Sequence, residues 1–388
     1  MSTQREVWLD FLRVTACFMV MTVHATEPFY LGGEGALVLS ATDAFWVSVF
    51  EGLARACVPL FILASSYLQF PIHYPTGEFF RRRAVRIVIP MLVWTLVYAL
   101  VWGEPAENFK GLLLNFNYAA GHLWFVYMIL GLYLIMPLLS PWAGKVSRRE
   151  LEVYLGIWLL TTLFPFVREA AGGPAPLIQA ADGLPAPALF PLWGEASWNP
   201  FGLFYYVSGF MGYLLVGLYV RKYLANNRMS GILGSSLFLM GFLAIVSGLL
   251  RRIGASGEGF PVSGPLAWAI GWETPISFCG LPVVLCSVGL LLVFRRIDST
   301  RAAESAFYRK VVLPLSQAGY GMYLCHMLVL AYVSAFWRET MGLGAQGAWG
   351  IWTTPVQILL TALCSFVIVG LAAVLIRRIP RLGTRIMG

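Results

Sequence analysis

WLDFLRVTACFMVMTVHATEPFY, residues 8–30, is 23 residues of mostly apolar sequence that nevertheless carries Asp10, Arg13, His24 and Glu27. Its length suits a membrane-spanning helix, which needs about 20 residues. Read as a helix at ~100° and ~1.5 Å per residue, Arg13 and His24 stand about 20° apart in azimuth and ~16 Å apart along the axis. Asp10 lies one turn before Arg13 and Glu27 one turn after His24, so one stripe reads Asp10, Arg13, Cys17, His24, Glu27. Each charge near the centre of a span costs about 2.5–3.5 kcal/mol on insertion scales. Such residues persist where they face protein interior or a wet cavity, and there they usually serve function. Two plainer readings stand beside this one. Asp10 and Arg13 can be a pair snorkelling at the interface, and His24 can be a helix-packing residue. Glu27 favours a working histidine, because a carboxylate three residues on can orient an imidazole and stabilise its protonated form. Pro28 obstructs the carbonyl four residues back, that of His24, so the helix is expected to open where the histidine sits.

Outward from this stretch, the pattern repeats. The 388 residues are 59% hydrophobic and 12% charged, with a mean hydropathy of +0.73. Soluble domains average about 25% charged residues. Expected spans are 8–30, 43–70, 85–103, 122–140, 151–168, 200–220, 231–250, 273–294, 311–334 and 352–376. The fold class is all-α: a polytopic protein of about ten transmembrane helices, with 1–388 forming a single membrane domain. No internal repeat or low-complexity tract is visible, and no cleavable signal peptide is expected. Of the 27 Lys and Arg, 20 fall at the N-terminus, the tail and the even-numbered loops; five lie in the opposite loops, and Arg13 and Arg55 lie inside spans. That bias places both termini in the cytoplasm and argues against nucleic acid as the partner of the +8 net charge. The six cysteines all fall in apolar runs with no CxxC pair, so they read as small buried residues, neither a disulfide frame nor a metal site. Two external segments, 169–199 and 251–272, read as long loops with aromatics, either a lid over a site or interfacial connectors.

Five stretches resemble a known family in its order: WLDFLRVTACFMVMTVH with the Arg-(ten residues)-His spacing of Arg13 and His24; ARACVPLFILASSYL around Arg55 and Pro59; RRRAVRIVIP with Arg83 and Arg86 ahead of Pro90; GHLWFVYMILGLYLIMPLL from Gly121; and GYGMYLCHMLV with Tyr323 and His326. The chain is thereby identified as similar to acyltransferase family 3, integral-membrane O-acyltransferases of bacterial surface glycans. The resemblance implies a cell inner-membrane O-acetyltransferase whose donor co-substrate is cytoplasmic acetyl-CoA and whose acceptor is a glycan or glycolipid hydroxyl. No metal is expected, and a homo-oligomer is open. The hydrolase-like second domain of some members is not found here.

Read in that light, Arg83, Arg86 and Arg13 are the expected donor-binding residues, since arginine pairs with phosphate through a planar fork. Arg83 and Arg86, three apart at the start of a span, are expected on one helix face; plain positive-inside charge is the other reading of this cluster. His24, Arg13 and Glu27 are the expected catalytic set, with His24 taking the acceptor's proton or, in a covalent relay, carrying the acyl group. His122, Trp124, Arg55, Tyr323 and His326 are the expected substrate-binding residues. Three of these have an alternative: interfacial anchoring for His122, a bond to a neighbouring helix for His326, and an ion pair with Glu51 or Asp43 for Arg55. The competing function is export of a glycan or small anion along the same Arg and His residues. Gly209, Gly212 and Gly217 are expected to permit close helix packing.

Overall fold

A computed structural model describes residues 5–32, 35–112, 115, 119–170, 193–194, 201–341 and 353–388. Lipid offers the backbone no hydrogen-bonding partner, so each long apolar run closes its own N–H and C=O groups as a helix. Among the described residues nine helices are long and apolar enough to cross a membrane: Val7–Phe29, Ala41–Gln69, Thr76–Val101, Gly121–Lys145, Arg148–Ala170, Arg228–Ala255, Thr274–Phe294, Tyr308–Trp337 and Thr354–Arg377. The protein is all-α and polytopic.

In finer detail, α1 (Val7–Thr26) runs into a 3-10 turn, Glu27–Phe29, and a hairpin of β1 (Leu31–Gly32) and β2 (Gly35–Val38). Next come α2 (Ala41–Ala54) and α3 (Cys57–Gln69). A π-helical turn, Ala84–Val88, joins α4 (Thr76–Arg83) to α5 (Ile89–Val101), and α6 (Pro105–Leu112) follows. The 3-10 turn Gly121–Leu123 opens α7 (Trp124–Lys145), then α8 (Arg148–Thr162), α9 (Phe164–Ala170) and α10 (Met211–Lys222). The long α11 (Arg228–Ala255) leads to β3 (Val262–Pro265), α12 (Leu266–Trp272) and α13 (Leu281–Phe294). After α14 (Ser299–Glu304) a second π turn, Tyr308–Val312, opens α15 (Leu313–Met341), followed by α16 (Thr354–Arg377) and α17 (Gly383–Met387).

Prolines set the breaks. Pro59 obstructs the carbonyl of Arg55, and the second span divides there, between Ala54 and Cys57. Pro28 ends α-helical geometry at Thr26, two residues past His24. Both π turns finish two residues before a proline, Pro90 or Pro314, where a shift to wider hydrogen bonding absorbs the donor the ring lacks.

The expected span 200–220 is realised differently. Its α-helical part, α10, has 12 residues, about 18 Å at ~1.5 Å each against about 30 Å of hydrocarbon. The rest forms a 3-10 run, Gly202–Val207. Gly212 and Gly217 do admit close neighbours, the Trp158 indole and the Ser66 hydroxyl, but Gly209 serves as a turn residue at φ +72°. Segment 251–272 is no loop: β3 pairs with β2 in an antiparallel sheet of order β1-β2-β3, with Ala36 opposite Gly264, and α12 packs on it. Most of the expected loop 169–199 lies outside the described residues.

The basic loops meet at one end of the bundle. Arg221 donates to the carbonyls of Tyr67 and Phe70, Lys222 to that of Val146, and Arg295 to that of Leu224. At the same end Tyr308 reaches Asp10 and Trp94 reaches Ile386. Residues near both chain ends therefore lie together, and the sheet covers the opposite end, where Tyr30 bonds Glu273. At the centre, α1 packs against α2, α3, α15 and α16.

Candidate functional site

The polar stripe of α1 meets α15 at Asp10, Cys17 and His24. Asp10, 2% exposed, accepts from Arg5 (2.7 and 2.9 Å), Tyr308 (2.8 Å) and Ser316 (2.7 Å). Its oxygens are thus used by partners other than Arg13, whose Nη1 stands 3.9 Å away. The Asp10–Arg13 pair is present but long: Asp10 is a buried anchor for closer partners, and Arg13, 29% exposed, keeps the 3.9 Å ion pair with it. One turn on, the buried Cys17 thiol contacts the Gly319 carbonyl at 3.6 Å. At the far end, His24 Nδ1 lies 2.8 Å from Glu27 Oε1.

α15 and the turn before α7 bring two more imidazoles to His24. The His326 ring lies 5.2 Å from His24 and 5.0 Å from His122, centroid to centroid, and the His122 ring lies 4.8 Å from Tyr98. Tyr323 donates to the His122 carbonyl, and Tyr98 donates to the Leu324 carbonyl at 3.0 Å, which ties the turn and α5 to α15. The tautomers follow from the partners, because carboxylates and carbonyls only accept. His24 Nδ1 therefore donates to Glu27, His326 Nδ1 to the Tyr323 carbonyl, and His122 Nε2 to the Leu324 carbonyl at 3.5 Å. In the neutral ring this places the His24 lone pair on Nε2, which has no hydrogen-bond partner among the described residues.

A cavity of about 620 Å³ is lined by His24, Glu27, His122, Trp124, Trp102 and Asn108, among others. Its walls at Trp102–Gly103 and Ala119–His122 come from the connections between α5 and α7, so it opens at the end away from the basic loops. His122 and Trp124 thus line the same cavity as the His24–Glu27 pair. His326 is fully buried behind it, and Tyr323 buttresses the His122 backbone. Arg13 is not on the cavity wall: Cys17 is buried between it and His24, and Arg13 belongs to the basic-end side.

On that side Arg83 turns inward. Its guanidinium sits 4.2 Å over the Phe79 ring and 5.0 Å over the Tyr133 ring, and Nη2 is buried with no partner among the described residues. Tyr133 in turn hydrogen-bonds Ser65 at 3.1 Å. Arg86 is exposed instead. Against the expectation that Arg83 and Arg86 act as one face, Arg83 is half-buried and Arg86 exposed, and Arg86 lies within the π turn Ala84–Val88 that follows Arg83.

A family model described as an acyltransferase domain, acyltransferase 3, matches residues 6–376. The chain belongs to that acyltransferase family. The same comparisons find no match among curated proteins and none among solved structures. The match takes in every residue of the polar stripe, His24, His122 and His326, and Arg83 and Arg86. The acyltransferase is accordingly a multi-pass membrane protein.

Arg55 of this acyltransferase is spent on structure. Its guanidinium lies 3.4 Å from Glu51 and 3.8 Å from Glu273, donates to the Ile276 carbonyl at 2.9 Å, and covers the Phe278 ring at 4.6 Å. Asp43, the other partner considered, bonds Ser40 and Thr354 instead. Glu51 accepts from Thr26 at 2.7 Å and Glu273 from Tyr30 at 2.9 Å. Arg55 thereby clamps the turn that carries Glu27, and it is not among the residues lining the cavity. Sequence reasoning missed Trp102, Asn108, Tyr133 and Glu273. For Trp102, Asn108 and Glu273 the one local signal was polarity or an aromatic ring near a span end, which interfacial residues share, and Tyr133 in mid-span gave none. Among the described residues no group of three or more His, Cys, Asp and Glu is arranged to hold a metal ion.

Proposed function

We propose that this protein is an inner-membrane O-acyltransferase that moves an acetyl group from cytoplasmic acetyl-CoA to a hydroxyl of a surface or envelope glycan, with His24 as general base. The observation that carries this is the His24–Glu27 pair on the wall of a cavity that also presents Trp102, Trp124, His122 and Asn108. Indole faces suit the apolar faces of a sugar ring, and a few converging polar groups fix its orientation. His24 Nε2 takes the hydroxyl proton as the oxygen attacks the thioester carbonyl. The tetrahedral intermediate then expels the thiolate, which receives that proton from the imidazolium, while Glu27 steadies the cation. A thioester is already activated, so no nucleotide hydrolysis is needed, and no GxxxxGK loop is found in the sequence.

Arg83 and Arg13 take the phosphates of the donor at the basic end, and the acceptor enters from the other. The acyl-pantetheine arm must then pass Cys17 to reach His24. The test is His24→Ala in purified protein. It should fold, bind acetyl-CoA with unchanged affinity and lose transfer by about 10²–10⁴-fold. Transfer at the wild-type rate removes the histidine from the mechanism.

A further inference from the structure

Residues 377–388 lie beyond the stretch matched by the family model, yet they fold back into the bundle. The chain turns at Arg381 (φ +61°), and Gly383 then passes so close to the carbonyls of Ile376 and Arg377 that no side chain would fit. Met387 ends fully buried against α15. Gly321 makes that room: a Cβ there would come within 2.6 Å of the Met387 sulfur. From α5, Trp94 donates to the Ile386 carbonyl at 3.0 Å. Gly388 rests against the Tyr320 ring and the carbonyl of Arg86, and Tyr320 donates its hydroxyl to the carbonyl of Ile87 at 2.8 Å. These contacts converge on the π turn Ala84–Val88, the segment that carries Arg86 and directly follows Arg83. A π turn is rare and short, and it needs support from outside its own hydrogen bonds.

We propose that residues 383–388 are a strap that holds this π turn, making Met387 and Tyr320 positioning residues for the phosphorylated acyl donor. The inference rests on the reading that Arg83 meets that donor. With the strap seated, the turn cannot unwind toward regular α-helix, which would swing Arg83 off the Phe79 and Tyr133 rings. Loss of one charge-assisted contact corresponds to about tenfold in donor KM.

The experiment compares wild type with Met387→Ala and Tyr320→Phe in full-length protein. Steady-state transfer from acetyl-CoA is measured beside amide hydrogen exchange over residues 84–88. The expected result is faster exchange at 84–88, unchanged exchange in α7, and donor KM raised about tenfold with kcat and acceptor KM unchanged. Tyr320→Phe removes a single hydroxyl, so it keeps the test informative if Met387→Ala folds poorly. Unchanged exchange at 84–88 in both variants overturns the strap. Faster exchange with unchanged donor KM overturns the positioning role and separates these arginines from the donor, while transfer at His24 still stands. Donor and acceptor KM rising together reports general loosening and also overturns it.

Discussion

Replacing Glu27 with glutamine tests the division of labour inside the cavity. The carboxylate lies 2.8 Å from His24 Nδ1, and the side chains of His24 and Glu27 are 21% and 34% exposed. Glutamine keeps an oxygen that can accept the Nδ1–H, so the ring orientation and tautomer survive, but the charge that steadies the imidazolium is gone. A hydrogen bond to a charged group contributes about 1.5–3 kcal/mol. At about 1.4 kcal/mol per factor of ten, that is a loss of roughly ten- to a hundredfold in kcat. Because the pair is partly exposed to the cavity, water screens it, and the lower end, about tenfold, is expected. Glu27→Ala, which also removes the orienting acceptor, should fall further, though not as far as His24→Ala. The assay is release of free thiol from acetyl-CoA in protein reconstituted in nanodiscs, with and without acceptor glycan. Wild-type turnover in Glu27→Gln would refute the argument, because the carboxylate would then have no share in the transition state. Loss as complete as in His24→Ala would refute it equally, by making Glu27 the base.

Arg83 and Arg86 should separate in kinetics as they do in space. Arg83→Gln is expected to raise donor KM about tenfold or more and Arg86→Gln less than about threefold, from the loss of a charged hydrogen bond in one case only; equal effects would restore the pair to one face. Arg55→Met leaves the buried Glu51 carboxylate without its guanidinium and should cost about 3–5 kcal/mol of stability, seen as a lower thermal unfolding midpoint. Adding Glu51→Gln should recover part of that loss. A raised acceptor KM with unchanged stability would instead return Arg55 to the substrate.

The α1 stripe was legible because helical periodicity is a property of one segment. Arg13, Cys17 and His24 share a face whatever surrounds them, and the structure turns that face to α15. Pro28 marked a break by the same local logic, whereas the break before Pro59 falls inside the span 43–70, which was read as continuous. What was not legible is tertiary. His122 and His326 are separated by more than 200 residues, and no spacing rule brings a turn before α7 against the middle of α15. The relation of Arg83 to Arg86 failed for a subtler reason. A three-residue spacing means one face only in an α-helix, and a π turn occupies that interval. The stretch 251–272 looked like loop because of its Gly and Pro content, while its strand depends on β2, more than 220 residues earlier. Span 200–220 was apolar enough to be read as a crossing, but its first half closes into a 3-10 run that a hydropathy window does not distinguish from α-helix.

The central claim is that an imidazole at the end of α1 moves the proton while acetyl passes to an envelope glycan. Mass spectrometry of envelope glycans from cells lacking the protein, complemented with wild type or with His24→Ala at matched membrane levels, tests it most directly. The account predicts an added acetyl mass on a glycan with wild type and its absence with His24→Ala. The same acetylated glycan in both strains, or in neither, would contradict it.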